Sequence, residues 1–523
     1  MGAQFQRYTG PDTVYRYDQT SDFDRGGLSQ NARAGLDLSL SKKTSLTLSG
    51  NYSFSTGDNT SNIIYSDYDL NDALTRVVTR DEIETDRDQR AEISLNFRQR
   101  FKKPDQQFTF DAKRNFSEEG EFSNYEQLSS KASDSAVYQR TSSDEAENSW
   151  LFQSDYIHPF GKDGKFEMGV KANLRQLSNK YLLEDSTNSN WAPNELLNNR
   201  MLYTENIYAG YIMAGNKTKK LSYQAGLRCE YSDIVTELVE TAELNPRNYL
   251  NFFPSAHIGY ELNKKNTIQF SYSRRISRPR YWWLTPFMSF SDSRNYYSGN
   301  PNLNPEYTDA FELGYLHFRK KMSFLPSVYY RYTTDVTQRI MFTDSIGFTR
   351  RYPVNLGTEH SFGAELSGSW TPLKWLDLNG SCNFYREIMN GDYDSVHYAY
   401  DTYAFNCRVR SKFNFSRKLS AQITFEYDSP QANSQGKSKA QYELGASMAA
   451  EILKGNGTIT FNVSDIFNSD KRRSIVETAY FYSESSYLMR KRQFRLTFVY
   501  RINQKKDDRR GDFNDSFDGG GEM

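Results

Sequence analysis

The sequence predicts an all-β fold, a large antiparallel transmembrane β-barrel of about twenty strands. Three observations predict this class: apolar and polar residues alternate with a period of two, nine short turns recur along the chain, and aromatic residues are abundant although mean hydropathy is only −0.79. Because only every second residue of a barrel strand faces lipid, a polar average composition is compatible with a membrane wall.

Composition and charge exclude several other classes. Tyr and Phe number 38 and 35, and both favour strands. Basic and acidic residues balance at 65 each, which gives no indication of a nucleic-acid partner. No stretch approaches the ~18 consecutive apolar residues of a spanning helix, so a helical membrane protein is excluded. Three cysteines are too few for a disulfide-rich scaffold, and their spacing suggests no zinc site.

The alternation is clearest at the first predicted hairpin. Leu36, Leu38 and Leu40 alternate with polar residues, and after the turn 41–44 the pattern resumes at Leu46. Further turns of this kind lie at 102–105, 161–164, 216–220, 263–266, 319–321, 371–374, 416–418 and 453–457. Nine hairpins supply eighteen strands, and a first strand near 3–18 and a last strand at about 487–502 bring the total to about twenty.

Longer polar stretches separate the hairpins. They lie at 56–88, 118–147, 185–199, 277–305 and 386–400, and we predict that they are loops. Short turns at one end and long loops at the other are typical of outer-membrane barrels.

One face of each predicted strand is apolar and the other carries charges. In 221–231, Leu221 and Tyr223 belong to the outward set, whereas Arg228 and Glu230 belong to the inward set. A dry core would hold such charges only at high cost, whereas a water-filled or plugged lumen can hold them. A soluble strand with one solvated face gives the same alternation, so that alternative stays open at this point.

The two ends of the chain carry separate predictions. The last strand has an apolar face formed by Phe494, Leu496, Phe498, Tyr500 and Ile502. It resembles the signal that the barrel-assembly machinery recognises, although it can equally be an ordinary strand. We predict a barrel over 1–502 and a disordered, charged and Gly-rich tail over 503–523. The N-terminus shows no secretory signal, so we expect a fragment.

Residues 251–315 carry a specific resemblance. The segments NFFPSAHIGYELNKKNTIQFSYSRRISRPRYWWLTPF and YYSGNPNLNPEYTDAFELGY resemble the central barrel block of TonB-dependent receptors, in the outer membrane protein β-barrel family. The residues that match the motif are Arg275, Arg278, Pro279, Gly299, Asn300, Pro301, Pro305 and Glu306. Similar segments at 204–232, 360–385 and 461–473 extend the resemblance over nearly all of 33–502.

The resemblance implies an outer-membrane receptor for a nutrient such as an iron chelate, a cofactor, a glycan or a peptide. It also implies a plug domain and the TonB complex as partners, and about twenty-two strands in a full receptor. The sequence contains no plug and one hairpin fewer, so we expect an N-terminal truncation. Alternatives are a structural barrel that binds a partner such as a surface lipoprotein, or a passive pore.

The motif residues have a physical interpretation. Gly299, Pro301 and Pro305 remove backbone donors or permit positive φ, which ends one strand and positions the next. The pair Arg278 and Pro279 forces an extended exit from the strand into an external loop.

No catalytic or metal-binding constellation is recognisable. The five histidines (158, 257, 317, 360 and 397) lack metal-ligand spacing, and hydrolase, phosphate-loop and zinc-protease motifs are absent from the sequence. We therefore predict no enzymatic activity, no metal and no cofactor.

Aromatic residues and cysteines give weaker indications. Tyr281, Trp282, Trp283, Tyr296 and Tyr297, with Phe287 and Phe290, are candidate ligand contacts in 277–305. An aromatic girdle or packing between loops is the preferred interpretation. Cys229, Cys382 and Cys407 fall on apolar faces, where we expect small lipid-facing residues, although a bridge between Cys382 and Cys407 is conceivable.

Overall fold

The computed structural model describes residues 2–9, 14–187, 190–194, 198–287, 292–343 and 348–502. They form one large antiparallel sheet of 25 strands and a separate sheet of three. Five of the 25 strands are short pieces that continue or flank a longer strand, which leaves twenty separate wall strands in the described ranges, the predicted number. Nineteen of them reach the short-turn end, and the first pairs only at the long-loop end. The tail 503–523 lies outside the described residues. No helix in the described ranges is long and apolar enough to span a membrane.

The strands follow one another around the wall. The first group is β1 (Gly2–Thr9), β2 (Val14–Ser41), β3 (Thr44–Tyr68), β4 (Leu74–Arg100), β5 (Gln107–Ser129), β6 (Val137–Phe160), β7 (Gly164–Thr187), β8 (Asn190–Pro193), β9 (Asn199–Thr218), β10 (Leu221–Leu238), β11 (Glu243–Asn263) and β12 (Asn266–Ser277). The next group is α1 (Tyr281–Leu284), β13 (Asn295–Tyr297), β14 (Glu306–Arg319), β15 (Met322–Thr334), β16 (Thr337–Thr343), β17 (Thr349–Asn355) and β18 (Thr358–Leu373). The last group is β19 (Leu376–Tyr393), β20 (Val396–Asn414), β21 (Leu419–Asp428), β22 (Gln431–Asn433), β23 (Gly436–Ser438), β24 (Gln441–Ile452), a 3-10 turn (Leu453–Gly455), β25 (Gly457–Ser464), β26 (Lys471–Glu477), β27 (Phe481–Leu488) and β28 (Gln493–Tyr500).

All nine predicted short turns join consecutive wall strands, and they lie together at one end of the barrel. The first hairpin has the expected register, since Leu36 faces Leu48 and Leu38 faces Leu46. The faces are also as predicted: on β10 the outward Leu221 and Tyr223 are 39% and 45% exposed, whereas the inward Glu230 is 7% exposed. The wall therefore presents apolar side chains outward and polar ones to the lumen.

Most of the predicted long loops are strands. Residues 56–88 contain the end of β3 and the start of β4, joined only by 69–73, and 118–147 and 386–400 are likewise mostly strand. These strands extend beyond the bilayer, where the outer face meets water in place of lipid, so the outward apolar alternation that marks the membrane band is lost. The genuine long connections are 278–305 and 335–357, of which the second was not predicted.

The first and last strands are also divided differently from the prediction. The segment 3–18 is not one strand, because it contributes to both β1 and β2, which pair with each other. The segment 487–502 includes the end of β27 and the whole of β28, with a break at 489–492.

β1 closes the ring at the long-loop end by pairing with β2 on one side and β27 on the other. Toward the short-turn end, and within the described ranges, residues 22–41 of β2 pair only with β3, and β28 pairs only with β25.

Cys382 and Cys407 form a disulfide between directly opposed positions of β19 and β20. The expectation that all three cysteines are unlinked apolar residues was therefore wrong for this pair, and it holds for Cys229, which is free.

We predict that the denatured, unreduced protein reacts with one equivalent of a thiol reagent and the reduced protein with three. A count of three before reduction would contradict the assignment.

Candidate ligand site at the barrel mouth

The described residues of the connection between β12 and β14 (278–287 and 292–305, the strap) enter the lumen instead of extending away from the wall. It leaves the wall at Arg278, whose guanidinium donates to Glu230 Oε2 at 2.6 Å and to Ser232 Oγ at 2.9 Å on β10. It then contacts β1, β2 and β3, which lie on the opposite side of the ring of strands, and returns to β14. The strap therefore crosses the mouth of the barrel.

The far end of the strap, on the side of the ring opposite Arg278, is held by two interactions that we call the latch. They are the ion pair of Arg294 with Asp67 and the hydrogen bond between Tyr65 and Asp292. The guanidinium of Arg294, which is 3% exposed, donates to both carboxylate oxygens of Asp67, at 2.5 and 3.2 Å. The same guanidinium lies 4.3 Å from the ring centroid of Tyr65. The Tyr65 hydroxyl donates to Asp292 Oδ1 at 2.7 Å.

Asn295 extends the far attachment to two further elements. Its amide donates to Tyr17 Oη at 2.8 Å and to Gln19 Oε1 at 3.2 Å on β2. Its Oδ1 accepts from Thr349 Oγ1 at 2.6 Å on β17. The side chain of Asn295 is thus bonded to β2 of the wall and to β17, as expected of a polar group that is withdrawn from water.

The ion pair of the latch joins two fully charged groups, Arg294 and Asp67. Burial raises the pKa of Asp67, but the guanidinium groups of Arg294 and Arg76 outweigh it and hold that pKa below its ordinary value. The Asp67 carboxylate is therefore ionised at any physiological pH.

The near end of the strap is held by apolar packing. Leu284 of α1 and Leu303 are buried against a cluster on β7, β9 and β10 that includes Leu177, Met201 and Tyr203. The hydroxyl of Tyr281 donates to Glu145 on β6. Leu284, Leu303 and Tyr281 of the strap therefore contact the inner side of the wall.

The family motif around Gly299 brings two parts of the strap together. The amide of Gly299 donates to Thr285 O at 2.8 Å, and the amide of Asn300 donates to Trp283 O at 2.6 Å. A Cβ at position 299 would lie 2.3 Å from Thr285 O and 2.6 Å from Trp283 O. The φ angle at this position is not positive, so the close approach of backbone, not the predicted freedom of φ, requires glycine.

The remaining motif residues fix the return of the strap to the wall. The carbonyl of Pro301 accepts from Arg247 Nη2 at 2.9 Å, and Pro305 is buried. The carboxylate of Glu306 accepts from the amide of Thr337 at 2.7 Å, at the start of β16.

Two motif residues precede the strap's entry into the lumen. Pro279 follows the Arg278 anchor, whereas Arg275 remains on β12 and donates to Ser273 Oγ at 3.3 Å.

The connection between β15 and β18 (residues 335–357, the mouth hairpin) lies against the strap. Its strands β16 and β17 pair with each other, and β17 pairs in parallel with β13 of the strap. Ile340, Val354 and Leu356 are fully buried against Met389 and Tyr398 of the wall. Strap and mouth hairpin thus form one partition across the mouth.

Arg339 of the mouth hairpin meets three aromatic rings of the strap. Its guanidinium carbon lies 4.9 Å from the ring centroid of Trp283, 5.2 Å from that of Trp282 and 5.7 Å from that of Tyr297. Sequence reasoning did not single out Arg339, because nothing in its local sequence shows that the hairpin folds onto the strap.

A cavity of about 390 Å³ opens between the strap and the mouth hairpin, and we call it the mouth cavity. It is lined by Arg280, Trp282, Trp283, Glu306 and Arg339, among others. The indole Nε1 of Trp283 is buried and has no hydrogen-bond partner among the described residues. Flat aromatic faces, guanidinium groups and an available N–H together suit a planar or anionic group.

The predicted ligand-contact residues divide into two sets. Trp282 and Trp283 line the mouth cavity, and the ring of Tyr297 contacts Arg339, which also lines the cavity. Tyr281 is directed to the wall, and Tyr296 belongs to β13. Phe290 lies outside the described residues. The described residues contain no group of three or more His, Cys, Asp or Glu side chains arranged to hold a metal ion.

The ring of tilted strands, with an apolar outer surface and a polar lumen, defines a large outer-membrane β-barrel. Residues 99–500 match the model of the outer membrane protein beta-barrel family, and the chain belongs to that family. It is a multi-pass protein of the outer membrane of Gram-negative cells and not an enzyme. No curated protein sequence matches this chain.

Two solved structures illustrate the shared fold. The copper transporter OprC has a TM-score of 0.54 at 11% identity, covering 93% of this chain and 80% of that chain. The ferric-catecholate import receptor Fiu of E. coli K12, in its closed form, has a TM-score of 0.54 at 10% identity, covering 94% and 81%. At these identities the likeness shows the fold alone.

Proposed function

We propose that this barrel is an outer-membrane receptor that takes up a scarce nutrient through its lumen in a TonB-dependent step. The strap that crosses the mouth carries the proposal. An uptake receptor has to keep its lumen closed until the ligand is bound, and a partition anchored on opposite sides of the ring suits that requirement. A passive pore has no need of such a partition.

The mouth cavity is the proposed site of capture. Trp282 and Trp283 would stack on the ligand, and Arg280 and Arg339 would pair with its acidic groups. An iron chelate, a cofactor, a glycan with acidic groups or a peptide carboxylate each offers such chemistry. Tyr281 and Tyr296 are not part of this proposed set, because they hold the strap in place.

The proposed function requires partners. A barrel has no energy source of its own, so we propose that a plug domain closes the lumen at membrane level and that the TonB complex moves it. For assembly, we propose that Phe494, Leu496, Phe498, Tyr500 and Ile502 present the terminal strand to the barrel-assembly machinery. Four of these side chains lie on β28, and all five are more than half exposed. A surface lipoprotein above the mouth remains a further proposed partner.

Growth of the native host on single nutrient sources tests the function. The panel contains ferric catecholate, ferric citrate, cobalamin, a glycan and a peptide. We expect that one of these nutrients supports growth only when both the barrel gene and TonB are present. The double variant Trp282→Ala/Arg339→Ala should lower uptake of that nutrient by about tenfold or more, since stacking and charge pairing contribute about 1–3 kcal/mol together.

A matched pair of residues outside the mouth cavity supplies the control. Arg140 lies 4.6 Å from the ring centroid of Trp191, so Trp191→Ala/Arg140→Ala removes the same two residue types from a different surface. This variant should transport normally. Growth that does not depend on the barrel for any nutrient, or uptake that persists without TonB, would overturn the proposal.

A further inference from the structure

A second cavity lies inside the lumen, below the latch. It has a volume of about 310 Å³ and is enclosed by the luminal faces of β2 to β7. On β3, Ser61 lines it four residues nearer the short-turn end than Tyr65, which bonds the strap. We call it the acidic cavity, since Glu82, Glu84 and Glu121 line it.

The carboxylates of the acidic cavity form no ion pair among the described residues, unlike those beside them, although the charge of Arg80 acts on Glu82 at longer range. Farther along the same luminal face Glu147 pairs with Arg175 at 2.6 Å. Among the described residues, Glu82, Glu84 and Glu121 form no such ion pair, and Arg25 is the only basic residue that lines the cavity. Uncompensated negative charge in a partly enclosed space attracts a cation.

A separate observation indicates a ligand. The side chain of Ser61 is 8% exposed, and its hydroxyl has no hydrogen-bond partner among the described residues. Ser61 directly opposes Glu82 across the β3–β4 pair and shares its luminal face. A buried hydroxyl without a hydrogen-bond partner is destabilising, so a polar ligand group that reached Ser61 and Glu82 together would remove that cost.

The size and lining of the acidic cavity select the kind of cation. The described residues include no group of three or more His, Cys, Asp or Glu side chains arranged to hold a metal ion, and the cavity is many times larger than a single bound water requires. Phe23, Tyr125 and Tyr181 also line it, and aromatic rings favour organic cations. We propose that the acidic cavity binds an organic cation through its ammonium or guanidinium group. This inference goes beyond the proposed function and holds even if the barrel transports nothing.

Glu121 should make the binding pH-dependent. Partial removal from water, followed by repulsion from Glu84 and Glu82, raises its pKa to about 7. The ionisable groups that face it are Glu82, Glu84 and Asp86 on β4, Glu119 on β5, Tyr181 on β7 and Arg25 on β2. Glu121 is charged above that pKa and neutral below it, so affinity for a cation should fall as pH falls through about 7.

Titration of the purified full chain with spermidine, followed by calorimetry in detergent, tests the inference. We expect binding at about pH 8 that weakens several-fold at about pH 6, and Glu121→Gln should remove this pH dependence. Glu84→Gln/Glu121→Gln should weaken binding at about pH 8 by about tenfold or more, because it removes the charge of two of the three carboxylates that line the cavity. Citrate, an anion, should not bind.

Glu118→Gln is the matched control, because Glu118 is an exposed carboxylate on the outer face of the same strand. It removes one negative charge without touching the acidic cavity and should bind like the parent. Absence of spermidine binding, or equal weakening in Glu118→Gln and in the double variant, would overturn the proposal. Circular dichroism and heat-modifiable migration confirm that each variant contains a folded barrel.

Discussion

Arg294→Ala is expected to open the barrel mouth and to produce a large, sustained ion conductance in planar bilayers. The guanidinium is the main charged anchor of the far end of the strap and is nearly completely buried. Arg294→Ala removes two charge-assisted hydrogen bonds to Asp67, which together contribute about 3 kcal/mol or more. About 3 kcal/mol corresponds to more than a hundredfold change in the equilibrium between held and released strap.

The wall itself should survive this substitution. Asp67 keeps a second ion pair, with Arg76 Nε at 2.7 Å, so removal of Arg294 does not leave a buried charge without a partner in the barrel. The variant should therefore fold and migrate as a heat-modifiable barrel while its strap is released. This separates a defect of the partition from a defect of assembly.

Arg386→Ala provides the comparison. Arg386 pairs with Asp401 at 2.6 Å in an arrangement of the same geometry, but both side chains are more than 40% exposed. Exposed pairs contribute about 0–1 kcal/mol, so this variant should remain as closed as the parent. A closed Arg294→Ala barrel, or equal conductance in both variants, would show that the latch does not hold the partition.

The wall was predictable because its information is local. Alternation such as Leu36, Leu38 and Leu40 identifies both the strand and its outward face, and a short turn directly joins it to its neighbour. The same logic failed above the bilayer. Residues 56–88 are mostly strand, yet their outer face meets water in place of lipid, so their composition resembles that of a loop.

The partition was not predictable from local patterns. Asp67 and Arg294 are 227 residues apart, and neither shows an unusual neighbourhood in the sequence. Arg339 meets Trp282 only because two long connections fold toward one another. The family motif did locate the strap at Gly299 and Asn300, but its physical role, a backbone contact within the strap, required coordinates.

Gly299→Ala tests that backbone contact and is expected to detach the near end of the strap. The new methyl group would lie 2.3 Å from one carbonyl oxygen and 2.6 Å from another, and both belong to backbone that cannot rotate away. The two hydrogen bonds made by the amides of residues 299 and 300 should be lost. Trypsin should then cleave the strap at Arg280 at least about tenfold faster, since cleavage follows the population of the open form.

Gly210→Ala is the matched substitution, because a Cβ at this wall position meets nothing within 4 Å. It should leave the rate of cleavage unchanged. If Gly299→Ala cleaves as slowly as Gly210→Ala, the strap tolerates loss of its internal contact and is held by its ends alone. If it cleaves fast yet conducts no current, the latch keeps the lumen closed without the near end, and opening then has to begin at Arg294.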